Sequence, residues 1–167
     1  MKIHLGCGNI YKEGYVNCDI STEVKADKVF DLNVFPYPFE DNSVEEIIIN
    51  HTLEHFFEPI KLFKEFYRIC KDKATVEIRV PYFTHESATS MLDHYHKFTW
   101  TSFDALDKNH ICHWQSVGDF KTIKKKLIWR EVLKLFELFN LCPRIYQELF
   151  SNIFPARELY VKLEVRK

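Results

Sequence analysis

A glycine pair and two aspartates occupy the ends of three predicted strands. Gly6 and Gly8 are two of only four glycines in the chain, and they directly follow the short apolar stretch Lys2–Leu5. Glycine is favoured where a backbone needs positive φ or must approach a ligand closely. Asp19 ends the second predicted strand and could accept hydrogen bonds from both hydroxyls of a ribose, while Asp31-Leu32 ends the third and could contact an adenine ring. These positions predict a site for an adenosine-like ligand at one edge of a sheet.

The spacing of the glycines narrows the choice of ligand. A dinucleotide-binding turn follows the pattern G-x-G-x-x-G, and here Tyr11 occupies the position of the third glycine. The turn therefore need not fit a pyrophosphate. This departure disfavours a nicotinamide-dependent oxidoreductase, which is the competing class of enzyme.

Histidine and glutamate side chains form a second group with catalytic potential. His51, Glu54 and His55 follow the fourth predicted strand, and His94 lies in the loop after the fifth. Imidazole and carboxylate groups can act as general bases, so these four residues are the candidate catalytic residues, and His85 and His96 of the same loop are further candidate bases. Glu54 and His55 could instead simply open the following helix, where Glu54 would complement the helix dipole.

Several neighbouring side chains could also be metal ligands. The loop after the fifth strand contains His94, His96, His110, Cys112 and His113. Imidazole and thiolate are zinc ligands, but spacings of one and two residues in a stretch without regular structure are a loose pattern. The sequence alone therefore predicts no metal site, and we expect structural or substrate-facing roles for these residues.

Alternating strands and connections must position these groups. The pattern predicts strands at Lys2–Leu5, Tyr15–Ile20, Lys28–Leu32, Val44–Asn50, Ala74–Val80, Ser116–Ile123 and Glu158–Val165, with helices at Pro59–Cys70, Lys124–Asn140 and from Pro143 to about Ser151. The segment at 10–14 has room for one or two helical turns, and Lys71–Lys73 reads as a turn. Alternation of this kind indicates an α/β fold with a doubly wound, mainly parallel sheet.

Composition sets the broad class of protein. The chain has 167 residues, 46% of them apolar and 16% aromatic, with a formal net charge of −1. We expect one folded domain spanning 1–167, with no global basic field to attract nucleic acid. Its five cysteines form no C-x-x-C pair, and the sequence has no apolar leader and no run long enough to span a membrane. These features favour reduced thiols and a cytoplasmic location.

The collinear order of these motifs supports a family resemblance. HLGCGN, GYVNCDI, ADKVFDLNVFPYPFEDNSVEEIIINHTLEHF and VEIRVPYF follow one another over about residues 2–100. The chain thereby resembles the class I S-adenosylmethionine-dependent methyltransferases, specifically the small type-11-like family. The resemblance implies a Rossmann-like methyltransferase fold whose final strand is antiparallel. It divides the domain into a cofactor half at about 1–81 and an acceptor region at about 82–157.

The resemblance also implies roles for individual residues. Gly6 and Gly8 would contact the methionine part of S-adenosyl-L-methionine, Asp19 the ribose and Asp31-Leu32 the adenine. The cofactor-binding set that it implies is Gly6, Cys7, Gly8, Asn9, Asp19, Ile20, Asp31, Leu32, Asn50 and His51. One departure concerns His4, because members of this superfamily usually carry an acidic residue two positions before the first glycine. Recognition of the methionine ammonium group must then rely on other contacts.

Several functional alternatives remain open at this level. The resemblance implies a methyltransferase acting on a small-molecule or glycan-type acceptor, with methylation at oxygen favoured. A non-catalytic module that binds the cofactor or a partner is the alternative from another class. RNA methylation is a minor alternative supported only by Lys124-Lys125-Lys126, a run that is otherwise typical of a solvated helix end. The apolar faces of 127–139 and 145–154 indicate core packing, and they leave open a homodimer interface or peripheral membrane contact.

Overall fold

A single seven-stranded sheet organises the protein. A computed structural model describes residues 1–113 and 117–167, apart from the side chains of Val132 and Lys134. The strands are β1 (Lys2–Leu5), β2 (Val16–Asp19), β3 (Lys28–Val29), β4 (Val44–Asn50), β5 (Cys70–Pro81), β6 (Asp119–Ile128) and β7 (Glu158–Arg166). Their order across the sheet is β3-β2-β1-β4-β5-β7-β6.

The directions of the strands confirm the predicted fold class. Strands β1 to β5 are parallel, whereas β7 runs antiparallel to both β5 and β6. The carboxyl ends of the parallel strands therefore share one edge of the sheet. Because β7 is antiparallel, its first residues lie at that same edge, where Glu158 pairs with Pro81. The edge thus collects residues from both ends of the sequence.

Helix α1 (Pro59–Ile69) packs on one face of the sheet. Pro59 begins the helix, where a missing N–H costs nothing. Phe63 and Phe66 are fully or almost fully buried, as are Ile47 and Ile49 of β4. A two-sided apolar strand and an amphipathic helix are thus combined in one core, as the sequence predicts.

The connections contain less helix than a doubly wound sheet usually has. Residues 6–15 connect β1 to β2 by turns alone, so the short helix allowed for 10–14 is absent. Instead, the buried Asn17 side chain accepts a hydrogen bond from the Lys12 amide and donates to the Lys12 and Tyr15 carbonyls. These bonds replace the backbone pairing that a helix would have provided.

The boundaries of the third, fifth and sixth predicted strands are wrong; of the sixth, predicted at Ser116–Ile123, Ser116 lies outside the described residues and the strand spans Asp119–Ile128. The third strand ends at Val29 instead of Leu32, because the Asp31 carboxylate accepts the Asn33 amide and turns the chain. Strand β5 already begins at Cys70, so Lys71–Lys73 lies within it. In place of the predicted turn, the pairing of β5 with β4 has a register shift, and Lys73 adopts φ +63°.

The predicted helix over Lys124–Asn140 is also wrong in its first part. Lys124 to Ile128 belong to β6, where Leu127 pairs with Leu159 and is fully buried. Pairing with β7 satisfies the hydrogen bonds of this backbone, and the helical periodicity of the sequence did not reveal that pairing. A kinked 3₁₀ segment, Glu131–Leu141, follows the strand.

The remaining C-terminal elements agree with the sequence. Helix α2 (Pro143–Ile145) continues as one π turn, Tyr146–Phe150, and β7 then ends the chain. Two short 3₁₀ turns, Glu86–Ala88 and Asp104–Leu106, interrupt the loop between β5 and β6. Among the described residues, none of the helices is long and apolar enough to cross a membrane.

Candidate cofactor and acceptor site

The glycine turn after β1 is fixed by two different constraints. Gly6 and Gly8 both adopt positive φ, at +62° and +49°. A Cβ on Gly6 would lie 2.2 Å from the Thr52 hydroxyl oxygen, so the turn packs directly against the loop after β4. A Cβ on Gly8 would meet nothing within 4 Å, so this glycine faces open space.

Asp19 holds the same turn from the end of β2. Its Oδ2 accepts a hydrogen bond from the Gly8 amide at 2.8 Å, and its Oδ1 accepts one from the Ser21 amide at 3.0 Å. Each carboxylate oxygen can accept more than one bond. Asp19 therefore shapes the glycine turn and retains acceptor capacity for a ligand.

Asp31 and Leu32 follow the shortened third strand. The Asp31 carboxylate caps the local turn by accepting the Asn33 amide at 2.8 Å. Leu32 is buried, and its carbonyl accepts the Tyr37 hydroxyl at 2.7 Å. The pair thus presents a carboxylate beside an apolar side chain at the sheet edge.

A cleft of about 390 Å³ joins these groups. Seven of the predicted cofactor residues line it, and four further residues were not predicted. The predicted ones are Gly6, Gly8, Asp19, Ile20, Asp31, Leu32 and His51; the others are Asn33, Thr52, Phe56 and Asp93, with His55 completing the lining. The cleft has the size of a small-molecule site.

Three predicted cofactor residues are not among those that line this cleft. Cys7 is buried with its sulfur 3.9 Å from the Lys25 carbonyl oxygen, and Asn9 is exposed. Asn50 ends β4, and its buried side-chain Oδ1 has no hydrogen-bond partner among the described residues. A buried amide oxygen without a partner is costly, so Asn50 is available to a ligand.

His4 has a structural role. Its side chain is almost fully buried, and Nδ1 lies 3.2 Å from the side-chain oxygen of Asn17 on the neighbouring strand. Burial lowers the pKa of His4, so the ring is neutral at neutral pH. The position two before Gly6 therefore helps to pack β1 on β2, and it is not among the residues that line the cleft.

His51 follows β4 in a left-handed conformation, at φ +49°. Its ring is flanked by two carboxylates, with Nδ1 3.7 Å from Glu54 and Nε2 3.5 Å from Glu158. The ion pair with Glu158, followed by that with Glu54, raises the pKa of His51 to about 9. His51 is therefore a cation at neutral pH and already holds the proton that a general base would have to accept.

Glu54 is the most deeply buried acid at the site. Its side chain is 1% exposed, and its Oε2 has no hydrogen-bond partner among the described residues. The other oxygen faces His51. Burying a carboxylate oxygen without a partner costs free energy, and a ligand or ion that contacts the oxygen would remove this cost.

His55 and His94 meet beside Glu54. The two rings are in edge-to-face contact, with centroids 4.6 Å apart. The Asp93 carboxylate lies 3.0 Å from His55 Nδ1, whereas His94 Nδ1 is buried and has no hydrogen-bond partner among the described residues. The fold thus brings together the predicted catalytic residues His55, Glu54 and His94 from two separate loops.

A second, larger cavity of about 650 Å³ lies beside the first. His51 and His55 line both cavities. The larger cavity is lined by His51, Glu54, His55, Pro81, His85, Glu86, Ser87, Met91, His94, Arg130 and Arg157. The two cavities therefore meet at the residues after β4.

Arg130, Arg157 and Glu158 were missed at the sequence level. Arg130 follows the end of β6, and Arg157-Glu158 marks the start of β7. Their places at the functional edge depend on the reversal of β7, which the final strand's alternating pattern does not reveal by itself. A charged pair at the start of the predicted antiparallel final strand is the signal that could have identified Arg157 and Glu158.

Comparison with known proteins supports the class suggested by the site. A sequence model described as a methyltransferase domain matches residues 7–78, which include Gly8 of the glycine turn, Asp19, Asp31 and the loop after β4. No curated protein sequence matches the chain.

Solved structures share the whole fold at low sequence identity. A methyltransferase dependent on S-adenosylmethionine from Archaeoglobus fulgidus superposes with a TM-score of 0.69 at 15% identity, covering 98% of this chain and 85% of the other. A complex of the Haloferax volcanii Trm112 methyltransferase activator with a methyltransferase gives 0.66 at 16% identity, covering 99% and 82%. The plantazolicin methyltransferase BpumL, in complex with SAH, gives 0.60 at 16% identity, covering 99% and 76%.

These comparisons agree with the geometry of the site. Residues 7–78 match a methyltransferase domain, and the chain as a whole has the fold of solved methyltransferases that depend on S-adenosylmethionine.

Proposed function

We propose that this protein transfers a methyl group to a hydroxyl of a small-molecule or glycan-type acceptor. The observation that carries the proposal is the meeting of two cavities at His51 and His55. One cavity has the glycine turn and carboxylates suited to the cofactor, and the residues that line the other include histidines, acids and arginines. Methyl transfer requires both reactants to be aligned across such a junction, and orientation alone can lower the barrier by about 7–11 kcal/mol.

Asp19, Asp31 and the glycine turn would hold the cofactor, which supplies the methyl group. Asp19 retains acceptor capacity for the ribose hydroxyls, and Asp31 beside Leu32 suits the adenine amino group and ring. Gly8 faces open space, so its backbone can approach the methionine part closely. Ile20 and His51 complete this set.

Asn50 is the best candidate to receive the ammonium group of the cofactor. His4 is neutral and packs on Asn17, so it cannot provide the negative charge that an acidic residue at this position would offer to the ammonium group. The Asn50 Oδ1 is buried and unpartnered among the described residues, close in sequence to the cofactor-lining His51. An ammonium donor would satisfy it.

The larger cavity suits a polar acceptor. Its lining combines histidines and acids with Arg130 and Arg157, whose side chains are 58% and 55% exposed. Hydroxyl-rich acceptors need such hydrogen-bonding partners, and an acceptor that carries an anionic group would be attracted by the arginines. Lysines of the 124–126 run are less available to RNA, since Lys125 bonds the Trp100 carbonyl and Lys126 pairs with Glu137.

Of the predicted catalytic residues, Glu54 and His94 are best placed to assist deprotonation. Each has a buried acceptor atom without a partner among the described residues. His51 is already protonated, so we assign it a positioning role. His85 is less suitable, because its Nδ1 accepts the Ser87 amide, which leaves the proton on Nε2.

Calorimetry tests the cofactor assignment. We expect S-adenosylmethionine and S-adenosylhomocysteine to bind and NAD to bind much more weakly. Binding of NAD in preference, or of none of the three, would contradict the proposal. Methyl incorporation into fractionated cell extracts would then identify the acceptor.

The same experiments separate the alternatives. Cofactor binding without methyl incorporation into any fraction would favour a non-catalytic module, and incorporation sensitive to ribonuclease would favour RNA. We also propose that 1–167 acts as one domain, with the cofactor half at 1–81 and the acceptor region at 82–157. The unpaired cysteines, three of them buried, favour a cytoplasmic location.

A further inference from the structure

We infer that Glu54, His55 and His94 form a binding site for one divalent transition-metal ion of the zinc type. One ligand atom from each residue lies within 4.8 Å of the other two. Two imidazoles and one carboxylate are a ligand set that zinc uses, with coordination positions left open for other ligands. Imidazole also disfavours magnesium, which prefers oxygen ligands.

Two orphaned atoms point independently to a bound cation. Glu54 is 1% exposed and its Oε2 has no partner among the described residues, while His94 Nδ1 is buried and equally unpartnered. An unprotonated imidazole nitrogen and a carboxylate oxygen are both electron-pair donors. A cation between them would satisfy both atoms at once.

The third ligand is already oriented. His55 Nδ1 lies 3.0 Å from the Asp93 carboxylate and 3.2 Å from the Asp93 carbonyl oxygen, which leaves Nε2 for the metal. Carboxylates that hold the second nitrogen of a ligating histidine fix its tautomer and raise its basicity. Asp93 would therefore be a positioning residue for the metal site.

Closing the site requires a movement of side chains. Ligand atoms about 2.0–2.2 Å from one tetrahedral ion are about 3.4 Å from one another, so separations of up to 4.8 Å must shorten by at most about 1.4 Å. His94 lies in the long loop after β5 and can supply this change through its side-chain torsions.

The location suggests a use for the ion. All three residues line the larger cavity, and His55 also lines the cofactor cleft. A cation here would accept the acceptor hydroxyl as a further ligand and lower its pKa, so that the proton leaves to solvent. This part rests on the proposed function; binding of the metal itself does not.

Metal binding can be tested without any acceptor. The full chain is dialysed against a chelator and titrated with Zn²⁺ by calorimetry, alongside His94→Ala, Glu54→Gln and the control His96→Ala. His96 is near His94 in sequence but contacts the Phe57 carbonyl instead. We expect one equivalent to bind to the wild type and to the control, and at least tenfold weaker binding to the two site variants.

Cobalt spectroscopy distinguishes this site from the exposed thiols Cys112 and Cys142. We expect bound Co²⁺ to show no thiolate charge-transfer band. A thiolate band, absence of binding, or equal affinity in all variants would overturn the inference. Should Glu54→Gln not fold, the comparison of His94→Ala with His96→Ala decides. Calorimetry with S-adenosylhomocysteine on the metal-free chain tests the proposed function separately.

Discussion

The Thr52 side chain occupies the space into which a side chain on Gly6 would point. The ideal Cβ position on Gly6 is 2.2 Å from Thr52 Oγ1 and 2.6 Å from its Cγ2. The turn after β1 and the loop after β4 are therefore packed against each other with no room for a methyl group. Both residues line the candidate cofactor cleft, so this contact forms part of its wall.

Gly6→Ala should destabilise the protein more than Gly8→Ala. Both glycines have positive φ, so both substitutions incur the same kind of backbone strain. Only Gly6→Ala adds a clash, which we expect to cost a further roughly 1–3 kcal/mol of unfolding free energy. Urea denaturation measures the difference. Equal destabilisation by the two substitutions would show that the Thr52 contact does not constrain the turn.

Asp19→Ala should weaken S-adenosylhomocysteine binding by about 1–3 kcal/mol, because it removes a charged hydrogen-bond acceptor. The substitution also leaves the Gly8 and Ser21 amides without the carboxylate that accepts their hydrogen bonds. Calorimetry measures the loss, with thermal denaturation to check folding. Glu23→Ala is the matched control, an exposed acid on the same loop that does not line the cleft. Unchanged affinity in Asp19→Ala would remove Asp19 from the cofactor site.

His51 should titrate well above an ordinary histidine. Glu158 and Glu54 raise its pKa to about 9, from an ordinary value of 6.5. A raised pKa in the folded state stabilises the protein fully below about pH 6.5, and that contribution is lost as the pH rises through about 9. Histidine NMR measures the pKa directly.

Glu158→Gln should lower the pKa of His51, because it removes the partner with the largest effect. The loss of stability between about pH 6.5 and pH 9 should shrink in the same variant. Glu164→Gln is the control, since Glu164 lies on the same strand but pairs with Thr75 and Lys121, far from the functional edge. A His51 pKa near 6.5 in the wild-type protein would contradict the ion-pair assignment.

Arg157→Ala should reduce methyl incorporation while leaving S-adenosylhomocysteine affinity within about twofold. Arg157 lines the larger cavity and not the cofactor cleft, so its loss affects the acceptor side. Arg144→Ala provides the control, because Arg144 is exposed on α2 and lines neither cavity. Loss of S-adenosylhomocysteine binding in Arg157→Ala would place this residue at the cofactor.

Local chemistry in the sequence determined the parallel half of the sheet and the residues gathered in the cleft at its edge. The order of glycine turn, Asp19, Asp31 and the Ile47–Ile49 run is sufficient, because parallel strands end at one edge whatever the details of their connections. Pro59 and its apolar stripe likewise fix α1. These features depend on neighbours in the chain.

Tertiary structure alone decided what His4, His51 and β6 do. His4 is neutral because the packed sheet buries it, and His51 is charged because Glu158 arrives from the far end of the chain. The run 124–128 is a strand because β7 pairs with it. Glu54 and His55 lie close to His94 because the loop after β5 folds back to them. Charge, pairing and proximity between distant residues are properties of the packed chain, and no local pattern records them.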